Sequence, residues 1–141
     1  MQPRMPNPAT IITEAMKPTQ SMWAAAYAAG IPPAILGLVH LRASQINGCA
    51  VCLDGAARGA RKAGESDERM FTVSAWRDSP FFTDAERAAL ALTESITRIA
   101  DDKDPVPDDV WNEATKHFPE RQLAALVIAI ATVNVWNRLN V

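Results

Sequence analysis

The chain has 141 residues, a length that fits one domain with a hydrophobic core of its own. Hydrophobic residues make up 48% of it and charged residues 21%, as is typical of a soluble globular protein. The formal net charge is −2. The one cluster of basic residues, Arg58, Arg61 and Lys62, lies where a helix is expected to end, and a helix dipole accounts for cations there. We therefore predict that the protein binds neither nucleic acid nor an anionic membrane.

The first fifteen residues contain no apolar run of the kind found in signal peptides, and they are interrupted by Pro3, Pro6 and Pro8. We expect residues 1–15 to form an extended N-terminal segment and the protein to be cytoplasmic. The most apolar stretch, residues 123–135, is shorter than a membrane span and is predicted to be a buried core helix.

Helix signals recur along the rest of the chain, and strand signals are almost absent. On the helix expected over residues 83–99, Glu94 and Arg98 are predicted to pair on the outer face. Six or seven helices, with no internal repeat and no dividing linker, predict an all-α bundle that forms a single domain over residues 1–141. In chain order the expected helices cover residues 19–29, 34–46 and 49–63, a segment that begins after Ser66, residues 83–99, and two segments that begin at Pro107 and Pro119.

Cys49 and Cys52 are the only residues whose arrangement has redox chemistry of its own. Because they follow a helix break at Asn47 and Gly48, they are expected in the first turn of a helix, where free N–H groups and the helix dipole favour thiolate over thiol. Their spacing puts both sulfurs on one face of that helix, close enough for a reversible disulfide. One cysteine can then attack an oxidant while the other resolves the product. In the cytoplasm such a pair is seldom a permanent structural bridge.

Two other interpretations of the pair remain open. The cysteines can be inert thiols buried at a helix start. They can also be half of a zinc site, but such a site needs four ligands, and the only histidines, His40 and His117, lie far apart in the chain. Beyond the cysteines the same helical face carries small residues, Ala56, Gly59 and Ala63, so we expect another helix to pack closely against it.

The sequence around the two cysteines resembles the AhpD-like branch of the carboxymuconolactone decarboxylase family. The resemblance covers most of the chain from about residue 16 onward and is strongest in the run LRASQINGCAVC at residues 41–52. It continues in ARKAG at residues 60–64, SAW at 74–76, FFTDAERAALAL at 81–92 and NVWNRL at 134–139.

The resemblance implies an all-helical fold that assembles through helix contacts into a homo-oligomer, either a trimer or a hexamer. It implies a thiol-dependent peroxidase or disulfide reductase in antioxidant defence, with an organic hydroperoxide or a disulfide as substrate and a dithiol as reductant. It also implies that Cys52 is the peroxidatic cysteine and Cys49 the resolving one. Their redox-active disulfide would then be the only redox group, with no separate cofactor and no metal.

Two positions depart from the family pattern. In the family, a histidine four residues after the second cysteine and a glutamate twelve before the first form a proton relay, and here these positions are Ala56 and Gly37. Neither residue can carry a proton, so the thiolate would depend on the helix terminus alone. His40, one turn after Gly37, is a candidate catalytic base in their place. Alternatively, it is a surface or interface histidine with an ordinary hydrogen bond.

Two other functions stand beside the peroxidase. The absence of the relay at Ala56 and Gly37 favours a non-enzymatic redox-sensing or assembly protein that keeps the fold and the cysteines. Lactone decarboxylation, the reaction that named the wider family, is a minor alternative, because the members that catalyse it do not depend on a CxxC pair.

The remaining polar and aromatic features have structural explanations. Asn134 and Asn137 lie in an otherwise apolar helix and are predicted to form hydrogen bonds at a subunit contact. The four tryptophans are predicted to be anchors in the core or at a subunit contact.

Overall fold

The computed structural model describes residues 4–101 and 103–140, and in these ranges every regular element is helical. The all-α class predicted from the sequence is confirmed. The described part contains eight α-helices, more than the six or seven expected. They are α1 (Pro8–Ile11), α2 (Met16–Ala28), α3 (Pro33–Asn47), α4 (Ala50–Lys62), α5 (Asp67–Thr72), α6 (Asp84–Thr97), α7 (Asp108–His117) and α8 (Glu120–Leu139), with short 3-10 turns at Thr13–Ala15 and Val73–Ala75.

The additional helix, α1, lies in the N-terminal segment, so the expectation of an extended chain over residues 1–15 is wrong from Pro8 onward. The side chain of Asn7 accepts a hydrogen bond from the Ala9 N–H at 2.9 Å and caps the helix. Pro8 occupies the first helical position, where the missing N–H costs nothing. Such a short helix leaves no periodic pattern in the sequence. Residues 1–3 lie outside the described residues.

The start of α2 also differs from the prediction. The helix begins at Met16 rather than at residue 19, and Pro18 lies inside its first turn. Backbone N–H groups in a first turn have no partner within the helix, so a proline is tolerated there and does not mark the boundary.

Two helices, α3 and α8, form the centre of the bundle. α3 packs against α4, α6 and α8, and α8 also packs against α2. The larger core cluster includes the completely buried Val39, Leu126 and Ile130. A second cluster joins residues of α3, α4, α5 and α6 and includes Trp76. Trp76 is therefore a core anchor, as expected, whereas Trp111 is exposed on α7.

α8 extends beyond the predicted stretch 123–135 and is 20 residues long, so the whole helix is able to cross a bilayer by length and composition alone. Its apolar face is used inside the bundle, because Leu126, Ala129, Ile130 and Val133 are completely buried. This burial supports the prediction of a core helix.

The carboxylate of Glu94 on α6 is buried at the junction with α3. Arg42 donates to it from Nε at 2.8 Å, Trp76 from Nε1 at 2.9 Å and Arg77 from Nη1 at 2.8 Å. Burial by itself would raise the pKa of this carboxyl group, but the hydrogen bonds from Trp76, Arg77 and Arg42 outweigh it and hold the pKa below its ordinary value. Glu94 therefore faces inward, and the prediction that it lies on the outer face of its helix is wrong. Its predicted partner Arg98 approaches the carboxylate only to 3.8 Å, from Nη1 to Oε2.

Candidate active site

The turn between α3 and α4 places the two cysteines. Gly48 adopts the left-handed conformation with φ of 66°, which favours glycine, and ends α3. The Gly48 N–H donates to the Gln45 carbonyl, and the Cys49 N–H donates to the Ser44 carbonyl at 3.1 Å, as in a Schellman motif. Cys49 is then the cap of α4, so the helix break predicted at residues 47 and 48 is confirmed.

The thiols of Cys49 and Cys52 lie together, as their spacing predicts. Their sulfurs are 2.6 Å apart, and the Cys52 N–H donates to the Cys49 sulfur at 3.4 Å. Both cysteines are free and only 6% exposed. A disulfide bond of about 2.05 Å would need only a small movement of the two side chains.

The environment of Cys49 does not favour its thiolate. Burial raises the pKa of the Cys49 thiol, and its hydrogen bond with the Cys52 side chain raises it further. The side chain of Asn137 acts in the opposite direction but is outweighed. The expectation that a helix start favours the thiolate is therefore wrong for Cys49, because removal of the sulfur from water outweighs the helix terminus.

Asparagine side chains of α8 connect the cysteine region to α3. The buried Asn137 donates from Nδ2 to Ser44 Oγ at 3.0 Å and accepts from Asn47 Nδ2 at 2.8 Å. Asn47 Nδ2 also donates to Asn134 Oδ1 at 3.0 Å. These bonds lie within one chain, so Asn134 and Asn137 have partners there without the subunit contact that was predicted for them. They satisfy the buried amide of Asn137 and join α8 to the end of α3.

A further pair of asparagines reaches Cys52. Asn140, just after α8, donates from Nδ2 to the Cys52 sulfur at 3.4 Å, and Asn7 Nδ2 donates to Asn140 Oδ1 at 2.7 Å. Asn7, Asn47 and Asn140 were not among the residues predicted for the site. Their local positions, before a proline and at helix ends, indicate only helix capping, and no sequence signal pairs them with the cysteines.

His40 lies on α3 in an aromatic cluster. Its ring centroid is 5.8 Å from that of Trp23 and 5.7 Å from that of Trp136, and the two indole rings are 5.1 Å apart. Within residues 4–101 and 103–140, no hydrogen bond joins His40 to either cysteine. Burial lowers the pKa of His40. The imidazole is therefore neutral at pH 7 and able to accept a proton.

A cavity of about 400 Å³ lies along α3 and α4, one helical turn from Cys52. It is lined by Gly37, His40 and Ala56. The two positions that hold the relay residues in the family and the candidate base therefore face the same cavity. Ala56 is buried, whereas Gly59 and Ala63 are exposed along the same cavity. In this chain, the close helix packing expected over the small-residue face is therefore limited to its first part.

A zinc site at the two cysteines would need further ligands close to their sulfurs. In the described residues no three His, Cys, Asp or Glu side chains come together. The two thiols therefore have no further protein ligands around them in that part of the chain with which to complete a tetrahedral zinc site.

The sequence and the fold are similar to those of several proteins. Residues 13–95 match the model of the carboxymuconolactone decarboxylase family. The chain is 39% identical over 104 residues to the uncharacterized protein YdfG of Bacillus subtilis (strain 168), covering 74% of this chain and 69% of that one. It is 31% identical over 112 residues to the uncharacterized protein YnjA of Escherichia coli (strain K12), covering 78% of this chain and 59% of that one.

The crystal structure of a protein of unknown function from Agrobacterium tumefaciens, described as a candidate antioxidant defence protein AhpD, has a similar fold. The TM-score is 0.89 and the sequence identity 34%, over 97% of this chain and 92% of that one. The all-α fold expected from the resemblance is therefore confirmed as AhpD-like.

Proposed function

The chain belongs to the carboxymuconolactone decarboxylase family, and on that premise we propose that it is a thiol-dependent oxidoreductase with an antioxidant role. Its substrate is an organic hydroperoxide or a disulfide, and Cys52 and Cys49 carry the reaction. The observation that carries the proposal is the 2.6 Å separation of two buried sulfurs at the start of α4. The fold shared with the Agrobacterium tumefaciens protein supports it.

The proposed reaction has two half-reactions. The Cys52 thiolate attacks the terminal oxygen of the hydroperoxide, the O–O bond breaks, and the alcohol leaves with one proton, so that Cys52 becomes a sulfenic acid. The Cys49 thiol then attacks this sulfur, the disulfide forms and water leaves. A dithiol donor reduces the disulfide by exchange and is itself oxidised to a disulfide.

We also propose His40 as the base that accepts the Cys52 proton. It lines the same cavity as Ala56, which follows Cys52 by one turn of α4, and its imidazole is neutral at pH 7. His40→Phe keeps an aromatic ring between Trp23 and Trp136 but removes the proton acceptor. We expect it to raise the pH midpoint of Cys52 alkylation, and an unchanged profile would exclude His40 as the base.

We propose a cytoplasmic protein that uses the Cys49–Cys52 disulfide as its only redox group, with no metal. We propose a trimer or hexamer built through helix contacts. Val51, between the two cysteines, and Phe71 on α5 support assembly, because their apolar side chains are 66% and 71% exposed in a single chain.

A non-enzymatic redox-sensing or assembly role is the second candidate function. It is favoured by Gly37 and Ala56, because a cavity lined by them holds no relay group at either position. Lactone decarboxylation is a minor third candidate, since it would leave the thiol pair without a role.

Consumption of cumene hydroperoxide with dithiothreitol as donor tests the proposal. We expect Cys52→Ser to abolish turnover. Cys49→Ser, mixed with one equivalent of hydroperoxide in the absence of dithiothreitol, should form a sulfenic acid that dimedone traps, because no second cysteine is there to form the disulfide. Unchanged turnover in Cys52→Ser would exclude the proposed enzyme. No turnover in the wild type, with alkylation only above about pH 8, where ordinary cysteines ionise, would favour the sensing role.

A further inference from the structure

A chain of hydrogen bonds runs in one direction from the N-terminal segment to Cys52. The backbone N–H of Ala9 can only donate, so the Asn7 atom 2.9 Å from it must be the acceptor Oδ1. The Nδ2 of Asn7 is then left to donate to Asn140 Oδ1 at 2.7 Å. This in turn directs Asn140 Nδ2 to the Cys52 sulfur at 3.4 Å. A backbone group therefore fixes the orientation of both amides.

We propose that Asn140 is a catalytic residue that donates to the Cys52 sulfur and stabilises it as a thiolate, and that Asn7 is the positioning residue that holds the Asn140 amide in this direction. The inference deepens the proposed function, because it takes Cys52 as the attacking sulfur. A neutral amide donor stabilises negative charge without being ionised itself. It can therefore supply charge stabilisation, though not proton transfer, in a site that has Gly37 and Ala56 at the relay positions.

The charged groups around α4 leave this task to Asn140. In the described residues the hydrogen-bond partners of the Cys52 sulfur are Cys49 and Asn140, and Cys49 is the titratable group in contact with it. His40 lies in the aromatic cluster, and Lys62 and Glu68 are exposed. The other charged side chains of α4 and its neighbours have partners elsewhere: Asp54 with Arg58, Arg61 with Asp67, Arg69 with Glu65 and Glu86, Arg42 with Glu94, and Arg138 with Asn134.

The test measures alkylation of Cys52 by iodoacetamide as a function of pH, read by intact mass, in full-length protein that carries Cys49→Ser. Asn140→Ala removes the donor. Asn7→Ser keeps an oxygen that caps α1 but has no amide group to orient Asn140, and it adds no charge. Asn7→Asp also keeps the cap, but its carboxylate attracts the Asn140 NH₂ group and turns it away from the sulfur. Asn112→Ala, at an exposed position on α7, is the matched control.

We expect Asn140→Ala to raise the alkylation midpoint by about one pH unit, as is typical when an ionised group loses a hydrogen-bond donor. Asn7→Ser should raise it less, Asn7→Asp at least as much as Asn7→Ser, and Asn112→Ala not at all. An unchanged midpoint in Asn140→Ala would overturn the role of Asn140. An unchanged midpoint in both Asn7 variants would overturn the positioning role, and these variants keep the test decisive if Asn140→Ala does not fold.

The alkylation assay does not depend on peroxide turnover. A raised midpoint in Asn140→Ala therefore supports this inference even if the wild type consumes no peroxide. Normal turnover with an unchanged midpoint overturns it and leaves the proposed enzyme standing.

Discussion

Gly37 on α3 and Ala56 on α4 line the same cavity of about 400 Å³. A Cβ atom placed at Gly37 would meet no heavy atom within 4 Å outside its own helix. The two positions that the family resemblance assigns to a proton relay are thus adjacent to one empty space, and that space can accept larger side chains.

The first prediction is that the double variant Gly37→Glu with Ala56→His gains activity. A histidine one turn after Cys52 and a glutamate facing the same cavity would supply a proton acceptor, and a positioned acid–base group typically contributes at least about a hundredfold in rate. We expect peroxide reduction to rise about tenfold or more, and the alkylation midpoint of Cys52 to fall. Stopped-flow oxidation with cumene hydroperoxide measures the first effect.

The matched control for this variant is Gly37→Gln with Ala56→Gln. It fills a similar volume and also removes a helical glycine, but it adds no base. If both double variants react with peroxide at the same rate, a base placed in the cavity does not exchange a proton with the Cys52 thiol.

The second prediction concerns stability in acid. Burial lowers the pKa of His40 below its ordinary value of 6.5, so the unfolded chain binds this proton more readily than the folded one. The stability that the neutral ring provides is present above pH 6.5 and is lost as the pH falls through the lowered value. His40→Phe should therefore lose less free energy of unfolding between about pH 7.5 and pH 5 than the wild type does. Urea unfolding at the two pH values measures this, and equal losses in both proteins would contradict it.

The parts of the site that could be predicted are those set by neighbouring residues. Asn47, Gly48 and the CxxC spacing predict the break, the cap and the paired sulfurs, because the Schellman turn and the first turn of α4 are local structures. The contact between Asn140 and Cys52 joins residues 88 apart, and that between Asn7 and Asn140 joins residues 133 apart. Such contacts follow from the packing of α1 and α8 and have no local signal.

The buried position of Glu94 in the core could not be predicted from neighbouring residues either. Its spacing from Arg98 predicts an exposed pair within one helix, but Arg42, 52 residues away, binds the carboxylate instead. The spacing of residues along α6 shows which of them share a face. It does not show that the face of Glu94 packs against α3 unless the position of α3 is known. An acidic residue that is buried against cations distant in the chain is therefore predicted from the sequence to be exposed.

The third prediction concerns stability in base. Burial raises the pKa of Cys49 above its ordinary value of 9.0, so the folded chain holds this proton more tightly than the unfolded one. The stability that the protonated thiol provides is fully present below pH 9.0 and is lost as the pH rises through the raised value. Under reducing conditions, Cys49→Ser should therefore lose less free energy of unfolding between about pH 8 and pH 10 than the wild type. Equal slopes in urea unfolding would show that Cys49 is not the group responsible.

The fourth prediction is that the contact between Glu94 and Arg42 stabilises the bundle, whereas that between Glu94 and Arg98 does not. The side chains of Glu94 and Arg42 are only 8% and 12% exposed, so Glu94→Gln leaves a buried guanidinium without its anion and should cost about 3 kcal/mol. Arg98 is 45% exposed and 3.8 Å from the same carboxylate, so Arg98→Ala should cost less than about 0.5 kcal/mol. Urea unfolding at neutral pH measures both variants. Equal losses would mean that burial of the pair is not what makes it stabilising.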